Sequence, residues 1–231
     1  TNATMNIGIV VAMEKEFNPI ASSLSNRDSR AQGHFSLTWG DLGPHHVIAI
    51  LAGIGKVHAA LGTTLLIYHA RPDCILSVGC SGALSSDLHV GDIVAANEVA
   101  YHDVWCGEGN AYGQVQGCPP RFACLAELTS RCTASGEVKR EGLFVSGEYF
   151  IPSQPMLRDL NARFSNPLAI DMESAAVAQT CWIEGYPFAA LRAISDTPGQ
   201  PIQNPTEQYH HFWENDADNA FGTIMNIIKN I

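Results

Sequence analysis

Apolar runs without polar alternation recur along the chain and are separated by segments with helical periodicity. Three such runs, 6–12, 74–80 and 187–194, predict strands, and the first two have the uniform apolar character of strands buried on both faces. After the first run, Phe17, Ile20 and Leu24 follow helical spacing. This alternation predicts an α/β fold.

The same two periodicities predict the remaining elements. In chain order they are a hairpin of 35–41 and 45–51 around Gly43-Pro44, a helix through 61–70, a strand at 91–100, a helix at 125–135, a strand at 141–146 and one long helix at 206–228. The stretch 105–122 is long for a connection and contains several Gly and Pro residues, which is typical of a functional or interface loop.

The stretch 168–196 predicts a strand, a helix and a strand in succession. Ligands of open α/β sheets bind beyond the carboxyl ends of strands, so Glu173 and Asp196 are expected to face one crevice. A structural alternative stays open. Asp171 would then cap the helix, Glu173 would favour its positive end and Asp196 would only begin a turn.

Other strand ends carry an acid or small residues. Glu16 lies at the first strand-to-helix junction, where it either faces a cleft or complements the helix dipole together with Glu14. Small residues follow the strands at 52–55 and 80–83, and their N–H groups either bind an anion or a base edge or form ordinary tight turns. A Walker A loop is absent, so Lys56 is expected to be solvated or ion-paired.

Composition narrows the function classes. The chain has 231 residues and a net charge of −10 without a Lys/Arg cluster, which argues against nucleic acid as a partner and disfavours a highly anionic substrate. No apolar run is long enough to cross a bilayer, so we expect no membrane partner. Residues 6–231 are expected to form one domain, with 1–5 either a cloning scar or what remains after removal of a leader.

Cysteine spacing matches neither a zinc pattern nor CxxC. Cys74, Cys80 and Cys181 are expected to be buried in apolar segments. One disulfide is possible, in an oxidising compartment, among the four cysteines of the loop-rich stretch. These four are Cys106, Cys118, Cys124 and Cys132.

Three carboxylates from three predicted strand ends, Glu16, Glu173 and Asp196, suggest the chemistry. No metal cluster or dinucleotide fingerprint accompanies them, so we expect neither metal nor cofactor. Cleavage of an N-glycosidic bond needs an acid for the departing base, a group that activates water and a hold on the sugar hydroxyls. The carboxylates are suited to these tasks.

Six motifs in order resemble the bacterial 5'-methylthioadenosine/S-adenosylhomocysteine nucleosidases of the nucleoside phosphorylase superfamily. They are IGIVVAMEKE (7–16), AGIGKVHAALGTTLL (52–66), VGDIV (90–94), SGEYFI (146–151), DMESAAVA (171–178) and RAISD (192–196). The resemblance implies a three-layer α/β/α fold with a mixed, partly closed sheet, a nucleoside substrate, a homodimer and a cytoplasmic location. A periplasmic or secreted location is the alternative if a signal peptide preceded Thr1.

The resemblance also assigns roles. It makes Asp196 the acid at purine N7, Glu16 the base that activates water and Glu173 the holder of the ribose hydroxyls. The other implied contacts are Met172 under the sugar, Met13 and Ile54 in the sugar and alkylthio pocket, Phe150 stacked on adenine, the main chain of Ile151 at the base edge, Ser195 near the base, Arg192 near the water, and Cys80 and Gly82 at the substrate.

The chain departs from the family pattern at several positions. Cys80 replaces the usual serine after the central strand. In the loop around 105–117, which a partner subunit would lend to the alkylthio pocket, Glu108, Asn110 and Gln116 replace aromatic and proline residues, which predicts a more polar pocket. Either Tyr209 or Phe212 closes the site, and the loop at 196–204 is a candidate lid.

Three alternatives to this reaction are considered. A phosphorylase would bring phosphate to the position of Glu16, whose charge would repel it. A nucleoside-binding module without catalysis would be expected to have lost a catalytic carboxylate. The third is a related nucleosidase acting on 5'-deoxyadenosine or a futalosine-type substrate.

Overall fold

The computed structural model describes residues 3–149, 154–198 and 204–231. Its strands are β1 (Asn6–Val11), β2 (Ser25–Gln32), β3 (Phe35–Leu42), β4 (His45–Leu51), β5 (Cys74–Ala83), β6 (Ile93–Tyr101), β7 (Phe122–Ala123), β8 (Val138–Ser146), β9 (Ala169–Asp171) and β10 (Phe188–Asp196). Its helices are α1 (Glu14–Ser22), α2 (Lys56–Ala70), α3 (Ala126–Ala134), α4 (Gln154–Arg163), α5 (Ser174–Glu184), α6 (Pro205–Asn215) and α7 (Ala217–Lys229).

One mixed sheet joins the strands in the order β10-β6-β8-β9-β5-β1-β4-β3-β2, and β7 pairs with β6. A further pairing of β10 with β5 closes five strands into a ring. β1, β4, β5 and β10 run parallel, whereas β9 runs antiparallel to β5. The implied mixed, partly closed sheet is confirmed.

Helices cover both faces of the sheet. One core cluster lies beneath α1, α3 and α7 and includes Ile7, Leu76 and Phe221. The other lies beneath α2 and α5 and includes Ile75, Leu66 and Val177. The two clusters use alternate residues of β1 and β5, as expected for strands buried on both faces.

The prediction of one helix over 206–228 is wrong. The chain forms α6 and α7, which meet at Asp216, where φ is −116°. The break separates two packing directions, since α6 packs on β10 and α7 packs on α1. Trp213 of α6 still stacks on Phe221 of α7, with ring centroids 6.0 Å apart.

Three elements have no counterpart in the sequence-based prediction: β2, the two-residue strand β7 and helix α4. Strand β2 is exposed along nearly its whole length and carries no apolar pattern. Its antiparallel pairing with β3 forms it, and its polar side chains protect an edge of the sheet. Helix α4 begins at Gln154, after the predicted strand 141–146 and the SGEYFI motif, in a stretch for which no element was predicted.

Candidate active site

One cavity of about 390 Å³ opens where β1, β5, β9 and β10 end. Its volume is within the range of small-molecule sites. The lining consists of Ala12, Met13, Glu16, Ile54, Cys80, Ser81, Gly82, Tyr149, Ile170, Asp171, Met172, Glu173, Ser195, Asp196, Pro198, Thr206, Tyr209 and His210. The structure therefore brings together the three carboxylates chosen from the sequence.

Glu16 reaches the cavity from the first turn of α1 and is 2% exposed. Its Oε1 accepts a hydrogen bond from the Cys80 N–H at 2.9 Å, and its Oε2 accepts one from the Met13 N–H at 3.1 Å. A Cβ at residue 79 would lie 2.8 Å from Oε1, so glycine is required there. Burial raises the pKa of Glu16, while these N–H groups and the Arg192 charge oppose the rise.

Glu173 lies at the start of α5 and contacts a second helix. Its Oε1 accepts a hydrogen bond from the Gly55 N–H at 2.9 Å, at the N-terminus of α2. Burial, followed by the nearby charge of Asp171, raises the pKa of Glu173 to about 8. A pKa of about 8 favours the protonated form of this carboxyl group at neutral pH.

Asp196 ends β10 and is 2% exposed. The Ser195 hydroxyl donates to its Oδ1 at 2.6 Å, while its Oδ2 has no hydrogen-bond partner among the described residues. Burial raises the pKa of Asp196 to about 6, against the opposing effect of Ser195. An unpartnered carboxyl oxygen at a cavity wall is available to a ligand.

Arg192 lies behind the main cavity and does not line it. It lines a second cavity of about 10 Å³ together with Glu16, Glu173 and Ser77, a space of the size that holds one water molecule. Its guanidinium donates from Nη1 to the Ser77 carbonyl oxygen at 2.8 Å. This placement is compatible with the implied position near a water molecule.

The apolar part of the main cavity includes Met13, Ile54 and Met172, three residues that the resemblance assigns to substrate contacts. Tyr209 also lines it, and its hydroxyl lies 3.5 Å from the Met13 sulfur. Phe212 does not: it is fully buried in the core beneath α7, so the expectation that it closes the site is wrong. Tyr209 and Phe212 lie on different faces of α6, so that Tyr209 faces the cavity and Phe212 faces the core.

Sequence reasoning missed some of the lining. Thr206 and His210 share a face of α6 with Tyr209 by helical spacing, a signal visible once the helix is placed over the site. The predicted base contacts Phe150 and Ile151, and most of the candidate lid, lie outside the described residues. Glu108, Asn110 and Gln116 do not line the cavity of the single chain.

Cys80 is partly exposed and lines the cavity, whereas its apolar segment predicted a buried side chain. Burial, then the Glu16 carboxylate, raises the pKa of its thiol, so the group is neutral. All seven cysteines are free, and the possible disulfide does not form. Lys56 is ion-paired with Asp103 at 2.6 Å, in agreement with one of its two predicted states.

The chain is similar to known proteins over nearly its whole length. A family model described as "Phosphorylase superfamily" matches residues 6–229. A 5'-methylthioadenosine/S-adenosylhomocysteine nucleosidase from an Exiguobacterium species is 35% identical over 98% of this chain and 99% of its own.

Two solved structures show the same architecture. The nucleosidase of Neisseria meningitidis in complex with methylthio-immucillin-A aligns with a TM-score of 0.90 at 32% identity, over 98% of this chain and 99% of that one. The S-adenosylhomocysteine nucleosidase of Streptococcus pyogenes in complex with 5-methylthiotubericidin aligns with a TM-score of 0.91 at 29% identity, over 100% of this chain and 99% of that one.

The raised pKa of Glu173 predicts a pH-dependent stability. Between about pH 4.5 and 8 the folded state binds the proton more tightly than the unfolded state, so this contribution to stability is lost as pH rises through that window. Glu173→Gln removes the titration and still accepts from Gly55. At pH 9 we expect the free energy of unfolding of the variant to be higher than that of the wild type by on the order of 2–4 kcal/mol. Near pH 4.5 the two proteins should have the same free energy of unfolding.

Urea denaturation at the two pH values measures this difference. The exposed Glu137→Gln serves as the control and should leave both values unchanged. Equal stability of Glu173→Gln and the wild type at pH 9 would contradict a raised pKa.

Proposed function

This chain belongs to the 5'-methylthioadenosine/S-adenosylhomocysteine nucleosidase family of the phosphorylase superfamily, and we propose that it hydrolyses the N-glycosidic bond of these two nucleosides to release adenine. It is an N-glycosyl hydrolase, with residues 6–231 as one nucleosidase domain. The observation that carries the proposal is the convergence of Glu16, Glu173 and Asp196 on one largely apolar cavity.

Asp196 protonates N7 of the purine as the C–N bond breaks. Two observations support this role of Asp196. Its Oδ2 is unpartnered at the cavity wall, and its pKa is raised to about 6, which keeps a proton available near neutral pH. The electron pair of the broken bond goes to the base, so adenine leaves neutral. Ser195 holds the other oxygen and sets the orientation of the carboxyl group.

Glu16 takes a proton from water as the water oxygen adds to the anomeric carbon. Two N–H groups hold its carboxylate, and the small cavity between Glu16, Glu173 and Arg192 has room for that water. The second product is the alkylthio-ribose with a hydroxyl group at the anomeric carbon.

Glu173 binds the ribose hydroxyls through the oxygen that does not accept from Gly55. Met172 packs under the sugar, and Met13, Ile54 and Tyr209 line the remainder of the pocket. The family resemblance assigns the adenine contacts to Phe150 and the main chain of Ile151, which lie outside the described residues. Nucleosides with a different 5'-substituent, 5'-deoxyadenosine and futalosine-type compounds, are the alternative substrates.

Water is favoured over phosphate as the nucleophile for electrostatic reasons. The described lining of the main cavity contains no lysine or arginine, and Arg192, in the adjoining small cavity, is already paired with Asp171 at 2.9 Å. A phosphate dianion would meet carboxyl groups without a free cation to bind it. This environment argues against phosphorolysis.

Adenine release from 5'-methylthioadenosine in phosphate-free buffer tests the proposal. We expect release by the wild type that added phosphate does not accelerate. Asp196→Asn and Glu16→Gln should each lower kcat by about 10²- to 10⁴-fold, because each loses a proton transfer.

The matched control is Asp218→Asn on the exposed side of α7, which should retain full activity. Release that requires phosphate would indicate a phosphorylase. Nucleoside binding without release by the wild type would indicate a binding module.

Cys80 offers a test of the role of Glu16. Its side chain lines the cavity beside Glu16 and, as the smallest of the influences that oppose burial, lowers the pKa of the Glu16 carboxyl group. A serine hydroxyl is a stronger donor and alanine donates nothing. The acidic limb of kcat/KM, where Glu16 becomes protonated and inactive, should therefore move to lower pH in Cys80→Ser and to higher pH in Cys80→Ala.

A pH profile of kcat/KM measures the limb in the three proteins. Cys106→Ser, on an exposed cysteine, is the control and should leave the profile unchanged. Coincident acidic limbs would contradict a base held by Cys80.

We also propose that the protein is a homodimer. Helices α2 and α5 pack side by side, and their outer faces expose large apolar residues. These are Val57, Leu61, Tyr68, Trp182 and Ile183, each at least 51% exposed. An apolar face of this kind is typical of a protein interface, and Trp105 at the start of the 105–117 loop is also exposed.

The double variant Leu61→Glu/Ile183→Glu should be monomeric, because it buries two carboxylates in the apolar interface. Light scattering after size-exclusion chromatography gives the mass. Asn219→Glu, on α7 at the opposite face of the sheet, should keep the wild-type mass. A wild type that elutes as a monomer at micromolar concentration would refute the dimer.

A further inference from the structure

Asp171, at the end of β9, has no task in the proposed reaction, yet it is 7% exposed and its two oxygens contact different elements. Oδ1 accepts hydrogen bonds from the N–H groups of Glu173 at 3.2 Å and Ser174 at 3.0 Å. The Ser174 hydroxyl donates to the same oxygen at 2.9 Å. This oxygen therefore fixes the first turn of α5, from which Glu173 projects.

The second oxygen contacts β10. Oδ2 lies 2.9 Å from Nη2 of Arg192 in an ion pair that lacks hydrogen-bond geometry, and both side chains are 2% exposed. Arg192 is also held by β5, because its Nη1 donates to the Ser77 carbonyl oxygen at 2.8 Å and its Nη2 to the Ser77 hydroxyl at 2.9 Å. A buried ion pair with this many hydrogen bonds is costly to break from one side.

We propose that Asp171 is a positioning residue, which fixes Glu173 and Arg192 relative to each other through the two oxygens of one carboxylate. This inference rests on the proposed function, because the proposed function places Glu173 at the ribose and Arg192 beside the water. Among the described contacts, no hydrogen bond or ion pair joins Glu173 directly to Arg192. Asp171 connects the two because β9 lies beside β5, which also pairs with β10.

The charge of Asp171 has a second consequence. Glu173 is faced by Asp171 and Glu16, which raise its pKa, and by Arg192, which lowers it. His102, at the end of β6, lies within the field of Asp171, and burial lowers the pKa of its ring. Arg192 also lowers the pKa of Glu16. Without the Asp171 charge, the unneutralised Arg192 acts more strongly on both glutamates.

Asp171→Asn tests the role, because the amide oxygen can still accept from α5 while the charge is lost. We expect the pKa assigned to Glu173 in the pH profile of kcat/KM to fall. We also expect kcat/KM for 5'-methylthioadenosine to decrease by about 10- to 100-fold, since the positions of Glu173 and Arg192 loosen. The affinity for free adenine, measured by calorimetry, should remain that of the wild type because adenine lacks the ribose.

Ser174→Ala is the second variant, and it deletes only one donor to Asp171. It should raise KM for the nucleoside by about 2- to 10-fold, the range of a lost neutral hydrogen bond, without shifting the pH profile or the adenine affinity. This variant also serves if Asp171→Asn does not fold. An unchanged KM in Ser174→Ala would then overturn the proposal.

A folded Asp171→Asn whose pH profile coincides with that of the wild type would also overturn it. A lower melting temperature with an unshifted profile would indicate a purely structural carboxylate. A wild type that releases no adenine would refute the proposed function instead, so the two failures are distinguishable.

Discussion

The active site depends on one electrostatic constraint: four carboxyl groups border one buried cavity, and the one arginine that is buried among the described residues pairs with only one of them. Glu16, Asp171, Glu173 and Asp196 all border the main cavity, and Arg192 pairs directly with Asp171. One cation cannot compensate four anions in a buried environment, so protonation is the least costly response. Burial is the main cause of the raised pKa values of Glu173 and Asp196, and the nearby charge of Asp171 adds to the rise at Glu173.

The same imbalance suits the chemistry of a nucleosidase. The reaction needs two groups in one pocket: an acid that retains its proton near neutral pH, and a base whose ionised form is favoured by N–H groups. Burial alone would protonate both. Burial raises the pKa of Glu16 as well, but two backbone N–H groups and Arg192 oppose the rise there, whereas only Ser195 opposes it at Asp196. Asp196 has an unpartnered oxygen instead. Backbone geometry therefore separates the two roles.

The fold supplies that geometry through ring closure. Pairing of β10 with β5 brings Asp196 beside Gly82, and the antiparallel β9 brings Asp171 beside the last residues of β5. Glu16 then meets the Cys80 N–H across Gly79, where a larger side chain would collide with the carboxylate. Small residues in β5 thus allow three separate segments to approach one point.

Local patterns in the sequence determined the buried strands, most helices and the three acids at predicted strand ends, because apolar periodicity and chain order are properties of short segments. The tertiary structure decided what depends on distant contacts. The closure of the sheet, the polar strand β2, the break at Asp216 and the choice of Tyr209 over Phe212 each follow from packing partners far away in the chain. The pKa values belong with these, since burial and the Asp171–Arg192 pair exist only once the chain has folded.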